Sequence, residues 1–247
     1  MLKDRIRRRF PAAAGSYLRC KRALQLLSRA PQFLTCYRQL GNGSIPHDAL
    51  LDYCFSGPLR PAQIREELQQ LANEIAILRA KRALEIGTCS GGTLFLLCRL
   101  AQRDADIISV DLPGGPFGFG YTWLQQIVYG RFPIGNQRLL LLRADSHSGE
   151  THATVVRELK GKPLDYLFID GDHSYAGVKR DFELYSPLVR SGGLIAFHDI
   201  AKHTRDDWPS GPCQVDRFWN EVKASYAHRE FIADANQGWA GIGVLYV

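Results

Sequence analysis

The sequence predicts a doubly wound α/β domain with a mostly parallel sheet. Three observations carry that expectation. Short continuous apolar runs alternate with amphipathic helical segments from Pro61 onward, a glycine turn joins the first apolar run to a helix, and an acid stands at the end of each of five successive strands. Apolar runs without a polar alternation are what strands buried on both faces require, and parallel strands need helical crossovers between them.

The elements follow in order. Ile64, Leu68, Leu71, Ile75 and Leu78 recur at three- and four-residue spacing, an amphipathic helix starting just after a proline. "RALEI" (82–86) is the first strand, followed by the helix "TLFLLCRLA". "DIISVD" (106–111), "RLLLLRA" (138–144), "LDYLFID" (164–170) and "GLIAFHD" (193–199) read as the next four strands, with helices around 149–159 and over "YAGVKRDFELYSPLV". The helix "VDRFWNEVKAS" and the strands "REFIA" and "GIGVLYV" close the chain. Residues 61–247 form one domain in this reading. Residues 1–60 form a helical extension broken by Pro11, Gly15, Pro31 and the turn-rich "GNGSIP".

The net charge of +6 belongs to that extension. Residues 1–30 hold nine Lys or Arg against Asp4, a local charge of +8 that leaves the remainder at −2. The arginine run has no apolar stretch behind it, so a secretory signal is not expected. It reads as a solvated amphipathic arm, as a contact for an anionic membrane surface or partner, or as an arm for nucleic acid. A core of net negative charge makes nucleic acid the weakest of these partners. The six cysteines show neither C-x-x-C nor metal-finger spacing and read as free thiols in a reducing, cytoplasmic setting. No apolar stretch approaches the ~20 residues that span a bilayer.

In a sheet of this kind, ligands bind at the carboxyl ends of the strands. Those ends carry Glu85 with Gly87, Asp111, Asp145, Asp170, and His198 with Asp199. In "LEIGTCSGGT" (84–93), Cys89 stands where a dinucleotide fingerprint has its middle glycine. The turn is tight but the pyrophosphate cradle is spoiled, which favours a nucleoside cofactor lacking that group. Asp111, 24 residues after Gly87, is placed to accept from both ribose hydroxyls; its alternative role is a strand-end cap. Asp145 and Ser146 suit either a base edge or a helix cap.

"LEIGTCSGGT", "SVDLPGGPFGFGY", "RADSHSGET", "LFIDGDHSYAGVKRDFELYSPLVRSGGLIAFHDI" and "GIGVLYV" together resemble class I S-adenosylmethionine-dependent methyltransferases. The nearest group in character is the small-molecule branch with macrolide-sugar O-methyltransferases and cephalosporin-hydroxylase-like proteins. The resemblance covers residues 60–247. It implies a Rossmann-like sheet of seven strands whose last strand is antiparallel. It also implies that Gly87, Cys89, Gly91 and Thr93 hold the methionine part of S-adenosylmethionine, Asp111 its ribose, and Asp145 with Ser146 its adenine, with Glu85 counted among the cofactor-binding residues.

Methyl transfer to a hydroxyl needs the proton removed or the developing oxyanion stabilised. His173, three residues past Asp170, is the candidate base, with an exposed turn histidine as the alternative. Asp170 and Asp199 end adjacent strands, and two neighbouring carboxylates call for a proton or a cation between them. The resemblance makes Asp170, His198 and Asp199 the metal positions. His198 stands where relatives carry an acid, which either turns the preference from Mg²⁺ toward Mn²⁺ or removes the metal. The polar loop "AKHTRDDWPSGPCQ" (201–214) suits a lid. The expected acceptor is a small-molecule hydroxyl, as on a sugar or glycosylated metabolite. The competing readings are a cofactor-binding protein without catalysis and a metal-dependent hydroxylase, the latter weakened because the sequence places no second histidine. A homodimer is expected by analogy alone.

Overall fold

The computed structural model of the protein describes residues 46–57, 59–113, 123–204 and 211–247, together with Leu24. The rest of the basic extension, the segment 114–122, and positions 205–210 of the proposed lid lie outside the described residues. Cys20 and Cys36 are among them; Cys54, Cys98 and Cys213 are free thiols.

Seven strands form one sheet in the order β3-β2-β1-β4-β5-β7-β6. They are β1 (Arg82–Ile86), β2 (Asp106–Asp111), β3 (Arg138–Arg143), β4 (Leu164–Ile169), β5 (Val189–His198), β6 (Ala227–Phe231) and β7 (Ile242–Tyr246). The first five pair in parallel, and β7 runs antiparallel to both β5 and β6. The order reverses at β1 and β4, which lie side by side, and in sheets of this kind ligands bind at the strand ends beside such a reversal.

Each face of the sheet is covered because the strands are apolar on both sides. Helices α1 (His47–Ser56), α2 (Arg65–Leu78), α3 (Gly92–Leu100) and α4 (Trp123–Tyr129) lie along one face. Leu50, Leu68, Leu71 and Phe95 pack there with Tyr129 against Ala83, Tyr166 and Phe168 of the strands. On the other face, α5 (Gly149–Leu159), α6 (Tyr175–Tyr185) and α7 (Val215–Val222) press Val155, Val178, Phe218 and Trp219 onto Leu84, Leu167 and Phe197. No helix among the described residues is long and apolar enough to cross a membrane.

The strand and helix expectations hold, with differences at the ends. β5 starts at Val189 rather than 193, because the chain passes its Gly192 turn (φ +72°) while already paired to β4. The helix expected to run to 189 ends at Tyr185 and tightens into a 3₁₀ turn at Ser186–Leu188, where Pro187 cannot continue the α-helical bonding. The sixth strand spans 227–231 rather than 229–233. Helix α4 has no counterpart in the sequence reading.

Candidate active site

Gly87 is the pivot of these strand ends. It has φ +90°, and a Cβ on it would lie 2.0 Å from the Asp170 carbonyl oxygen, so only glycine lets the ends of β1 and β4 approach this closely. The same positive-φ turn continues through Cys89 (φ +48°) and Gly91 (φ +85°). Gly91 leaves room for the Tyr129 ring, whose hydroxyl donates to the Cys89 carbonyl at 3.1 Å.

Asp111, at the tip of β2, accepts from the Cys89 amide at 2.7 Å. Burial pushes its carboxyl up to about 6, against the opposing pull of the Cys89 and Thr88 amides. The turn and the ribose candidate are thus one hydrogen-bonded unit. Glu85 points the other way, beneath the turn, and with Thr93 lines a cavity of about 10 Å³ among Leu68, Leu71, Tyr166 and Phe168. That is room for a single water. Burial lifts the Glu85 carboxyl to about 8 despite hydrogen bonds from Thr88 and Thr93, so it is largely neutral at pH 7.

Asp145 and Ser146 sit on the loop between β3 and α5. Asp145 Oδ1 accepts from the His147 amide at 2.9 Å, and the Ser146 carbonyl accepts from the Tyr185 hydroxyl at 2.7 Å. The helix cap itself is Ser148, which accepts from Glu150 N. His147 Nε2 bonds the Gly177 carbonyl at 3.1 Å and lies 3.3 Å from Asp181, a fully buried carboxylate on α6. The loop between β3 and α5 is thereby fastened to the helix that follows the His173 turn.

The ends of β4 and β5 bring Asp170, His173, His198 and Asp199 together. His198 Nδ1 lies 3.1 Å from Asp170 Oδ1 and 3.4 Å from Asp199 Oδ2. His173 spans the same two acids, with Nε2 3.6 Å from Asp170 Oδ1 and Nδ1 3.3 Å from Asp199 Oδ2. The outer oxygen of each acid is held separately: Gln63 Nε2 donates to Asp170 Oδ2 at 2.7 Å, and His203 Nε2 meets Asp199 Oδ1 at 3.0 Å. Each carboxylate therefore has one oxygen fixed by a neighbour and one turned toward His198. Asp199 adopts φ +64°, a left-handed conformation that, after glycine, Asn and Asp tolerate best.

The electrostatics follow from burial and pairing. Burial raises the Asp170 and Asp199 carboxyls, but the positive charge on His198, with hydrogen bonds from the surrounding imidazoles, more than reverses this, and both lie below the ordinary range. Burial depresses His198 and His173, and the two acids overcome it in each case, holding both imidazoles above the usual histidine value.

The donor chemistry fits a divalent ion. Asp170, His198 and Asp199 offer ligand atoms within 4.8 Å of one another, as do His173, Asp199 and Cys213. The sequence reading places no second histidine; in the structure His173 borders the same two acids as His198, although the two imidazoles share no single converging donor group, and His203 stands behind Asp199. His203 and Gln63 were not singled out from the sequence, since neither lies in a motif; the four-residue spacing of Asp199 and His203 was the one available sign. His203 and Cys213 are buried, and the Gln214 amide donates to the His173 carbonyl at 2.8 Å, so both described ends of loop 201–214 are fastened to the site.

The family model described as "Methyltransferase domain" matches residues 84–200. An uncharacterised protein of Acanthamoeba polyphaga mimivirus is 56% identical over 116 residues, covering 47% of this chain and 50% of that protein. Caffeoyl-CoA O-methyltransferase of Populus kitakamiensis is 22% identical over 154 residues, covering 58% of this chain and 60% of the relative. A further relative, an uncharacterised protein of Sinorhizobium fredii, is 27% identical over 152 residues, covering 60% of this chain but 15% of the relative. The chain thus spans less than two thirds of each of these curated relatives. Among solved structures, the O-methyltransferase from Bacillus cereus in complex with SAH has a TM-score of 0.55 at 17% identity, covering 86% of this chain and 97% of that one. TomG of Streptomyces achromogenes, an O-methyltransferase solved with SAM, has a TM-score of 0.51 at 16% identity, covering 86% and 94%. The fold is that of these enzymes, and residues 84–200 are similar to the methyltransferase-domain family.

Proposed function

We propose that the protein is an S-adenosylmethionine-dependent O-methyltransferase acting on a hydroxyl of a small molecule such as a sugar or glycosylated metabolite. The observation that carries this reading is the convergence, at one rim of the sheet, of the Gly87–Gly91 turn with Asp111 and of the Asp170/His173/His198/Asp199 cluster. The first group suits a nucleoside, and the second suits deprotonation of an acceptor.

In this reading Asp111 accepts from the ribose hydroxyls, the Gly87–Gly91 turn lies along the methionine part, and Asp145 with Ser146 borders the adenine. His173 takes the acceptor proton. Its raised proton affinity means that it works as a base only where the charges of Asp170 and Asp199 are otherwise compensated, or at pH above its own value. Asp170, His198 and Asp199 would hold a divalent cation, which when bound supplies that compensation and polarises the acceptor oxygen. Gln63 and His203 keep the two carboxylates oriented.

The buried His198 beside Asp170 and Asp199 keeps a metal-dependent hydroxylase as the second reading, although His173 and His198 do not share one converging set of donor atoms. One experiment separates them. S-Adenosylmethionine is titrated calorimetrically with and without Mg²⁺ or Mn²⁺, and labelled methyl transfer to a panel of hydroxyl compounds is followed without oxygen. Cofactor binding and oxygen-independent transfer are expected. A chain that fails to bind S-adenosylmethionine or S-adenosylhomocysteine under any of these conditions removes the reading.

A further inference from the structure

The cation position has an unusual donor set for a site of oxygen ligands. His198 Nδ1 stands between the inner oxygens of Asp170 and Asp199, at 3.1 and 3.4 Å. Two ligands bonded at about 2.1 Å to one ion stand about 3.0 Å apart at right angles and about 3.4 Å apart at the tetrahedral angle. The nitrogen thus already occupies a ligand's place relative to both acids. His198 is buried at the end of β5, where Phe197 and His198 pair in register with Gly243 and Ile242 of β7, so its backbone cannot withdraw without moving the sheet. A second nitrogen, His173 Nδ1, lies 3.3 Å from the same Asp199 oxygen, and the Cys213 sulfur groups with that pair.

From this geometry we infer that the site selects a first-row transition ion of the Co²⁺, Fe²⁺ or Zn²⁺ kind over Mg²⁺, and that His198 is the residue that sets the selection. The inference rests on the cation part of the reading above. Mg²⁺ is a hard ion that keeps oxygen ligands and several waters, and an imidazole forced into its shell is a poor exchange for water. Transition ions gain from the same imidazole. The fixed outer oxygens of Asp170 and Asp199, on Gln63 and His203, leave little freedom to rotate the carboxylates into an all-oxygen shell that omits His198.

The test uses the full chain stripped by chelation, with Co²⁺ as probe, because its visible absorption reports both nitrogen donation and coordination geometry. Co²⁺ is titrated spectroscopically, then displaced with Mg²⁺ to give a ratio of affinities. Any site prefers Co²⁺ to some degree, so the diagnostic quantity is the change in that ratio on substitution. His198→Asp, and independently His198→Asn, are expected to lower the Co²⁺-to-Mg²⁺ ratio at least tenfold and to shift the Co²⁺ spectrum toward that of an oxygen set. Circular dichroism and S-adenosylhomocysteine binding check that each variant is folded. A ratio unchanged in both folded variants overturns the inference, as does wild-type protein that binds Mg²⁺ as tightly as Co²⁺. Wild-type protein that binds neither ion but still binds S-adenosylhomocysteine overturns the inference together with the cation assignment, and leaves the methyltransferase reading standing. Binding of Co²⁺ that depends on His198, without any nucleoside binding, upholds the inference and removes the cofactor reading.

Discussion

The Gln63 amide donates to Asp170 Oδ2 at 2.7 Å, joining the segment ahead of α2 to the end of β4 across 107 positions of sequence. Gln63 is buried, so its removal leaves that carboxylate oxygen without a donor. Gln63→Ala is expected to cost about 1–3 kcal/mol of stability. It should also weaken Co²⁺ binding about tenfold, the scale typical of a group that orients a metal ligand. S-Adenosylhomocysteine affinity should change less than the metal affinity. Thermal unfolding and parallel titrations measure all three.

In the proposed reading, Asp111 links pH to cofactor binding. Its folded carboxyl titrates near 6 against an ordinary 3.8. The raised value means that its contribution to stability is fully present below 3.8 and is lost as pH rises through 6. Ribose recognition needs the ionised form, so nucleoside affinity should move the opposite way, falling about tenfold per pH unit below 6. Calorimetry of S-adenosylhomocysteine between pH 5 and 8 checks this. Asp111→Asn should flatten that profile and bind more weakly at pH 8.

Gly87→Ala should be among the most damaging single changes in the molecule. The new methyl group would meet the Asp170 carbonyl at 2.0 Å, and the residue would be held at φ +90°. Neither strand end can shift without breaking the bonds Gly87 N to Val110 O and Asp170 N to Ile86 O, each 2.9 Å. A loss of about 3 kcal/mol or more is expected. In denaturant titration the midpoint should fall; an unchanged midpoint would contradict the close approach of β1 and β4.

The His147–Asp181 pair should also be visible in stability. Asp181 chiefly raises the His147 value, against burial, so the pair's contribution is fully present below 6.5 and fades as pH climbs through the raised folded value. His147→Gln leaves the fully buried Asp181 without its counter-charge. A loss of about 2 kcal/mol at pH 6 is expected, less than for a fully enclosed pair because the imidazole reaches solvent. Asp181→Asn in the same background should recover much of it. Unfolding curves at pH 6 and pH 9 for the three proteins measure the effect.

Much of the fold could be read from sequence because strands buried on both faces are written as unbroken apolar runs, "LDYLFI" and "RALEI" among them. The ends were harder, since the start of β5 depends on pairing with β4 rather than on hydrophobicity. Helix α4 is short and is defined by Tyr129 packing under the glycine turn, a tertiary contact with no local pattern. At the site, Asp111, Asp170, His173 and Asp199 announced themselves by standing where strands end. Gln63 and His203 did not, because each reaches its carboxylate from a segment whose position is set only once the chain has folded.

Glu67 of α2 accepts from the Ala233 and Gly241 amides and from the Gln237 side chain, at 3.1, 3.0 and 2.7 Å. The stretch so captured also bonds to Ile200, Ala201 and Thr204, just past Asp199. A redesign that exchanges the β6–β7 connection for that of another enzyme, in the hope of importing a new acceptor, would strand this carboxylate and loosen the footing of Asp199. Such a transplant has to bring its own version of α2 with it.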